Sequence, residues 1–339
     1  MTLQKNMLDK EAYNQLKWII ARSELVDYKK RGSLAYQKPA SDSTFDMHKR
    51  VSGLHLGIRA IQLPKVIDWL EQLKPNLFKI NQYNAELPHE LLPQIGIYWQ
   101  EFECEPMSNT VHTVLEFLNY NKEKVPVVFE NEYWYHQKII DKKIKHPDEL
   151  NENNCLVITV PFYSNFQVRT DMNDILLKCT ELNIPVLLDL IWLPLINNKI
   201  KLDHTECIQV ITHGFSKTIP IAGMKGGFGF WKKPRDDSQR LYPLGNKLSF
   251  WICKKYLETF GYDYVKDNLK TLQKKWCKIF DIKEHTLCYV GEIPEGHWLE
   301  SEHLHTHEFN SKTKLFNLTS YYENDIILTK FINDNTYTT

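Results

Sequence analysis

The stretch 212-THGFSKTIPIAGMKGGFGF-230 carries two lysines, Lys217 and Lys225, among glycines, aromatics and aliphatics. Asp189 sits inside a second apolar run, PVLLDLIW. A charge in a segment built for burial costs free energy unless a partner neutralises it. A lysine amine held partly out of water can attack a carbonyl or move a proton, and a buried carboxylate can hold a cation. Ser108-Asn109-Thr110 lies between the strand-like Phe102 to Glu105 and a helical pattern over Val111 to Leu118. Small polar residues at a helix N-terminus are a natural phosphate cradle.

The elements that must position these groups alternate strand with helix. Cys155 to Val160 (CLVITV) and Pro185 to Leu190 (PVLLDL) read as buried strands, as does Cys207 to Thr212 (CIQVIT), with Gly226 to Trp231 as a fourth. Between the first two lies a helical pattern with Ile175, Leu176, Cys179 and Leu182 on one face, capped by Thr170 or Asp171. That is the size of a right-handed βαβ unit. Fully apolar strands alternating with helices predict an α/β domain with a mostly parallel sheet. Ligands bind such sheets at the carboxyl ends of the strands, which is where Asp189, Lys217 and the 108–110 turn all fall. Val66 to Leu73 reads as a short helix, and 31–44 as a loop. Leu248 to Tyr256 and Tyr264 to Phe280 look helical, and short strand-like pieces follow from Leu287. The expected domains are residues 1–75, contributing to the small domain, 76–245, the large ligand-binding domain, and 246–339, a small C-terminal α/β domain.

Composition narrows the classes of function. With 339 residues, 42% apolar and 25% charged, the chain can bury a large core. A formal net charge of zero gives no general attraction to nucleic acid or an anionic membrane. The longest apolar run, Ile184 to Ile196, is too short to span a bilayer and carries Asp189. Seven cysteines without a CxxC pair read as reduced thiols, and the charged N-terminus reads as a helix, not a signal peptide. The expected location is therefore the cytoplasm.

A carboxylate, a lysine and a phosphate cradle on one sheet edge match the needs of pyridoxal 5'-phosphate, which has a pyridine nitrogen to keep protonated, an aldehyde and a phosphate. Residues 213–229, HGFSKTIPIAGMKGGFG, resemble the lysine segment of fold type I pyridoxal-phosphate enzymes, the aminotransferase class I and II group. The resemblance runs in consistent order from about residue 80 to 245. It implies Lys217 as the Schiff-base lysine and Asp189 as the acid on the pyridine nitrogen. Tyr133 of Tyr133-Trp134-Tyr135-His136 would be the ring on the pyridine, with His136 behind Asp189. Trp192 stands where the family has a tyrosine at the phenolic oxygen. Ser108, Asn109, Thr110, Ser216 and Lys225 would bind phosphate.

The departures shape the expected substrate. The family's Asn-Pro-Thr-Gly is eroded to Pro161 to Phe166, leaving Tyr163 or Asn165 to meet the phenolic oxygen. Lys225 replaces an arginine, exchanging a fork for a point charge. No arginine follows Arg240, so the family's clamp for a substrate α-carboxylate has no counterpart. The resemblance implies an aminotransferase acting on an unusual amine or amino acid in specialised biosynthesis, working as a homodimer. The alternatives are a lyase or decarboxylase on the same fold, or a non-catalytic descendant acting as a scaffold.

His303, His305 and His307 alternate in EHLHTHE. Three such residues on one strand face can bind a metal, but an exposed polar strand or loop is the reading adopted, with no metal site. A third reading gives them the role of the absent arginine.

Overall fold

The computed structural model describes residues 61, 63–75, 79–80, 87–107, 110–219, 226–233, 246–297, 306–309, 313–319 and 322. The expected N-terminal helix and 31–44 loop lie outside these, as do Ser108, Asn109, Lys225, His303 and His305. Packing divides the chain into two units, Leu73–Val265 and Met1–Gln72 with Lys266–Thr339.

Among the described residues, the second unit contributes helix α1 (Pro64–Gln72). The sheet unit opens with β1 (Phe102–Met107), α2 (Thr110–Tyr120), β2 (Val125–Phe129), α3 (Trp134–Ile139) and β3 (Lys142–Ile144). It continues through β4 (Asn154–Thr159), α4 (Met172–Glu181), β5 (Val186–Asp189), β6 (Ile208–Gly214), β7 (Gly227–Lys232) and α5 (Lys247–Phe260). These strands form one seven-stranded sheet in the order β1-β7-β6-β5-β4-β2-β3. Neighbours from β6 to β3 pair in parallel. Only β7 is reversed, running antiparallel to both β1 and β6. Thus β1, β2, β4, β5 and β6 all end at one edge of the sheet.

The apolar runs explain this arrangement. Every residue of β4 and of β5 is buried, as expected of parallel strands covered on both faces. Val114 and Phe117 of α2 pack on Val128, Val157, Leu187, Val210 and Trp231. Burying each such side chain contributes roughly 1.5–3 kcal/mol. On α4 the expected apolar residues Ile175, Leu176 and Cys179 are buried. Asp171, one of the two expected caps, stands at its N-cap. The Asp171 side chain makes no cap bond, because Arg169 holds both its oxygens, Nε at 2.8 Å and Nη2 at 2.7 Å.

The sequence places a boundary at 245, whereas packing carries the sheet unit to Val265. The difference is α5. Its Phe250 ring meets Phe228 of β7 at 4.9 Å, edge to face. A Cβ on Gly226 would run into Ser249 on the same helix. A Cβ on Gly227 would strike the main-chain oxygen of His213 on β6, an atom that cannot swing aside. These two glycines therefore serve strand and helix packing, not close approach of a ligand. Gly227→Ala should destabilise the chain by about 1–3 kcal/mol, read from its denaturant midpoint. Gly229→Ala, whose nearest neighbour is Thr113 Oγ1 at 3.6 Å, should change it far less.

In the second unit, α6 (Tyr264–Phe280) precedes a four-stranded antiparallel sheet. Its strands are β8 (Lys283–Glu284), β9 (Val290–Ile293), β10 (Thr306–Phe309) and β11 (Thr313–Asn317), in the order β10-β11-β9-β8. Gln273 of α6 donates to the carbonyls of His285, Leu287 and Val290 at 2.9–3.0 Å, tying the helix to the chain that enters β9. His307 lies on β10. Among the described residues no cluster of histidine, cysteine and acidic side chains is placed to hold a metal, and no helix is long and apolar enough to cross a membrane. All seven cysteines are free thiols.

Candidate active site

The carboxyl ends of β2, β4, β5 and β6 bring the sequence-predicted side chains together. Asp189 is the last residue of β5 and only 1% exposed. Its Oδ1 accepts the Ile191 N–H at 3.0 Å. Burial raises its carboxyl to about 7, helped by the nearby charge of Glu132 and opposed by the Ile191 hydrogen bond.

His136 of α3 is fully buried, and its Nε2 stands 3.6 Å from Asp189 Oδ2. That is too long for a hydrogen bond, and neither ring nitrogen has a partner. Burial pushes the imidazole down to about 3. It is therefore neutral near pH 7 and gives Asp189 no countercharge.

From His136 a line of rings leads to the lysine. Tyr133, at the N-terminus of α3, meets His136 edge-on at 5.1 Å between centroids and Tyr163 at 5.3 Å. Tyr163 meets Phe166 at 5.6 Å, and Phe166 meets Trp192 at 4.9 Å. The Lys217 Nζ lies 5.1 Å from the centroid of the Trp192 ring. A cation over an indole face is attracted by the ring quadrupole. Lys217 sits in a tight turn just after β6, where Thr218 and Ile219 both return N–H groups to the Phe215 carbonyl, at 3.0 and 2.8 Å.

Tyr163 and Asn165, the two alternatives for the phenolic oxygen, sit differently. Tyr163 is buried within the ring cluster, whereas the Asn165 Oδ1 accepts the Gln167 N–H at 3.0 Å within its own turn. Thr110 opens α2 beside the end of β6, its Cγ2 lying 3.5 Å from where a Cβ on Gly214 would stand. Ser216 is half-buried in the lysine turn.

Two participants escape the sequence reading. Phe166 completes the line of rings to Trp192. Glu132, 1% exposed, is a second buried acid beside Asp189. Its position just before the aromatic Tyr133 was the available signal, but ENEY reads as a solvated loop.

No protein-family model matches the chain, and no curated protein matches its sequence. Solved structures do. Bna3p from Saccharomyces cerevisiae, described as a candidate kynurenine aminotransferase, superposes with a TM-score of 0.50 at 12% identity, over 98% of this chain and 99% of that one. Tyrosine aminotransferase from Leishmania infantum gives 0.49 at 12% identity, over 86% and 99%. A pyridoxal-phosphate-bound C-S lyase from Staphylococcus hominis gives 0.48 at 10% identity, over 85% and 87%. The chain shares the α/β fold of Bna3p, the fold type I architecture, with its mostly parallel seven-stranded sheet.

Proposed function

We propose that this chain is a pyridoxal-phosphate enzyme of the aminotransferase kind, acting on an unusual amine or amino acid in specialised biosynthesis. The observation that carries the reading is the state of Asp189. It is a carboxylate buried to 1% exposure at a strand end, with no lysine or arginine against it among the described residues. A structural acid so placed is normally paired. A ligand whose ring nitrogen carries a proton supplies the missing charge. The unpartnered nitrogens of His136, at the same place, fit that arrangement.

Bound pyridoxal phosphate supplies an electron sink for the carbon bearing the substrate nitrogen. Asp189 would keep a proton on the ring nitrogen, with the neutral His136 ring packed behind it, Nε2 3.6 Å from Oδ2. Tyr133 would cover the ring, and Tyr163 and Trp192 would line the site beside it. Lys217 would be the amine that holds the aldehyde, and it is placed to serve as the base at the reacting carbon. Trp192 and the turn after β6 keep that amine at the sheet edge. Thr110 and Ser216 would hold the phosphate, together with Ser108, Asn109 and Lys225. With no arginine after Arg240, the chain lacks a late guanidinium for an ordinary α-carboxylate, which favours an unusual substrate. The reading carries a homodimer with it, to be checked by sedimentation.

Titrating the purified chain with pyridoxal phosphate tests the proposal. A saturable visible absorbance band should grow in, and a panel of amines and amino acids should then bleach or shift it. A chain that stays colourless at saturating cofactor would remove the enzymatic reading.

A further inference from the structure

Glu132 has no part in the scheme above, yet it is held as firmly as Asp189. They are the two acidic side chains among the described residues that are nearly inaccessible. Glu132 Oε1 accepts the N–H of Tyr133 at 2.7 Å, and Oε2 accepts the N–H of Thr159 at 2.9 Å. One carboxylate thus spans two segments, the start of α3 and the end of β4. Thr159 is in turn the register partner of Asp189 across β4 and β5. The Gln137 side-chain amide closes the same corner by donating to the Glu132 carbonyl at 2.5 Å.

The charges around this corner are few. Asp189 lies near enough for the Glu132 charge to raise its carboxyl, and burial raises Glu132 itself. His136 is neutral, and Tyr133 keeps its proton because burial and Asp189 both raise the phenol. Arg169 favours ionised Glu132 through space, but its guanidinium is bound by Asp171 and flanked by the Phe129 and Phe162 rings, 4.2 and 5.0 Å away. Lys217 lies over Trp192. An acid serving only as a helix cap has no need of burial beside a second acid.

We infer that Glu132 is a positioning residue of this site. It pins Tyr133 to the end of β4 and, as the second member of a buried acid pair, makes the site select a ligand that is positively charged where it meets Asp189. The choice of ligand rests on the pyridoxal-phosphate reading, whereas the coupling of the two acids does not.

The experiment uses the full chain as wild type, Glu132→Gln and Asp189→Asn. Glutamine keeps the volume and one acceptor but removes the charge. First, infrared spectra of the unliganded proteins follow the protonated-carboxyl stretch against pH. In Glu132→Gln the Asp189 midpoint should fall by about one pH unit. Because coupling is reciprocal, the Glu132 midpoint should fall similarly in Asp189→Asn, which also serves if Glu132→Gln does not fold. An unmoved midpoint in either folded variant overturns the inference. Second, affinity is measured for pyridoxal phosphate and for its analogue with a C–H in place of the ring nitrogen. Wild type should prefer pyridoxal phosphate at least tenfold, and Glu132→Gln should cut that preference threefold or more. Equal loss of both ligands would mean a purely structural role and overturns the selectivity. If neither ligand binds wild type, the cofactor reading fails while the infrared arm still decides the coupling.

Discussion

Replacing Lys217 with alanine should abolish the covalent adduct with pyridoxal phosphate while leaving a weaker, reversible complex. Asp189 and the line of rings also have contacts of their own. Asp189 is anchored by the Ile191 N–H, and the line of rings from His136 to Trp192 packs without it. The variant should therefore fold and still bind the cofactor by its phosphate and ring nitrogen. It should lose the adduct band and nearly all turnover, since on the proposed reading the same amine would bind the aldehyde and move the proton. Spectral titration and equilibrium dialysis read the two parts separately. A variant that forms the adduct as wild type does would place the lysine elsewhere, and Lys225 would be examined next.

Exchanging Asp189 for asparagine should have effects of opposite sign in the unliganded and loaded protein. In the unliganded chain the Asp189 carboxyl sits at about 7, against about 3.9 in an unfolded chain. Between those values the native state holds a proton that the unfolded state has released, so stability falls as pH rises through the window. Above it, the native state carries a buried, unpaired carboxylate. Asparagine removes that slope. Relative to wild type, the variant should gain stability from about pH 4 to 7 and hold a plateau above, the difference being on the order of a few kcal/mol. His136 and His213, both pushed down to about 3 by burial, give the reverse slope. They are present in both proteins and largely drop out of the comparison. In the loaded protein the variant would lose the charge proposed to face the ring nitrogen. Breaking one side of a buried pair costs about 3–5 kcal/mol, so cofactor affinity should fall roughly a hundredfold to a thousandfold. Denaturant melts across pH, with and without cofactor, read both signs. A variant less stable than wild type above pH 7 when unliganded would mean that Asp189 is a paired structural acid.

The parts of this fold that are legible in sequence are those whose burial is complete. CLVITV and PVLLDL are apolar almost throughout, and CIQVIT is so apart from Gln209, because these strands are covered on both faces, so they need no alternation to be read as strands. Asp189 and Lys217 stand out against that background because a charge in an apolar run demands an explanation. What stayed hidden depends on partners distant in the chain. β2 is short and contains Pro126, and β3 is Lys142-Lys143-Ile144 at the sheet edge, so neither has the look of a core strand. The reversed direction of β7 leaves no mark on its own residues. The affiliation of α5 rests on contacts of Phe250 and Ser249 with β7 and Gly226. Glu132 reads as a loop acid because its burial is stabilised by the Thr159 N–H, supplied by a different strand. Gly226 and Gly227 of the lysine segment are likewise set by distant partners, Ser249 and the His213 carbonyl.

The central claim is that Lys217 forms the covalent bond to pyridoxal phosphate opposite Asp189. Incubating the full chain with the cofactor, reducing with borohydride and mapping peptides by mass tests it most directly. The expected result is one stable pyridoxyl-phosphate adduct per chain, on the peptide containing Lys217 and absent from Lys217→Ala. Modification scattered over surface lysines, or no modification at saturating cofactor, would contradict it.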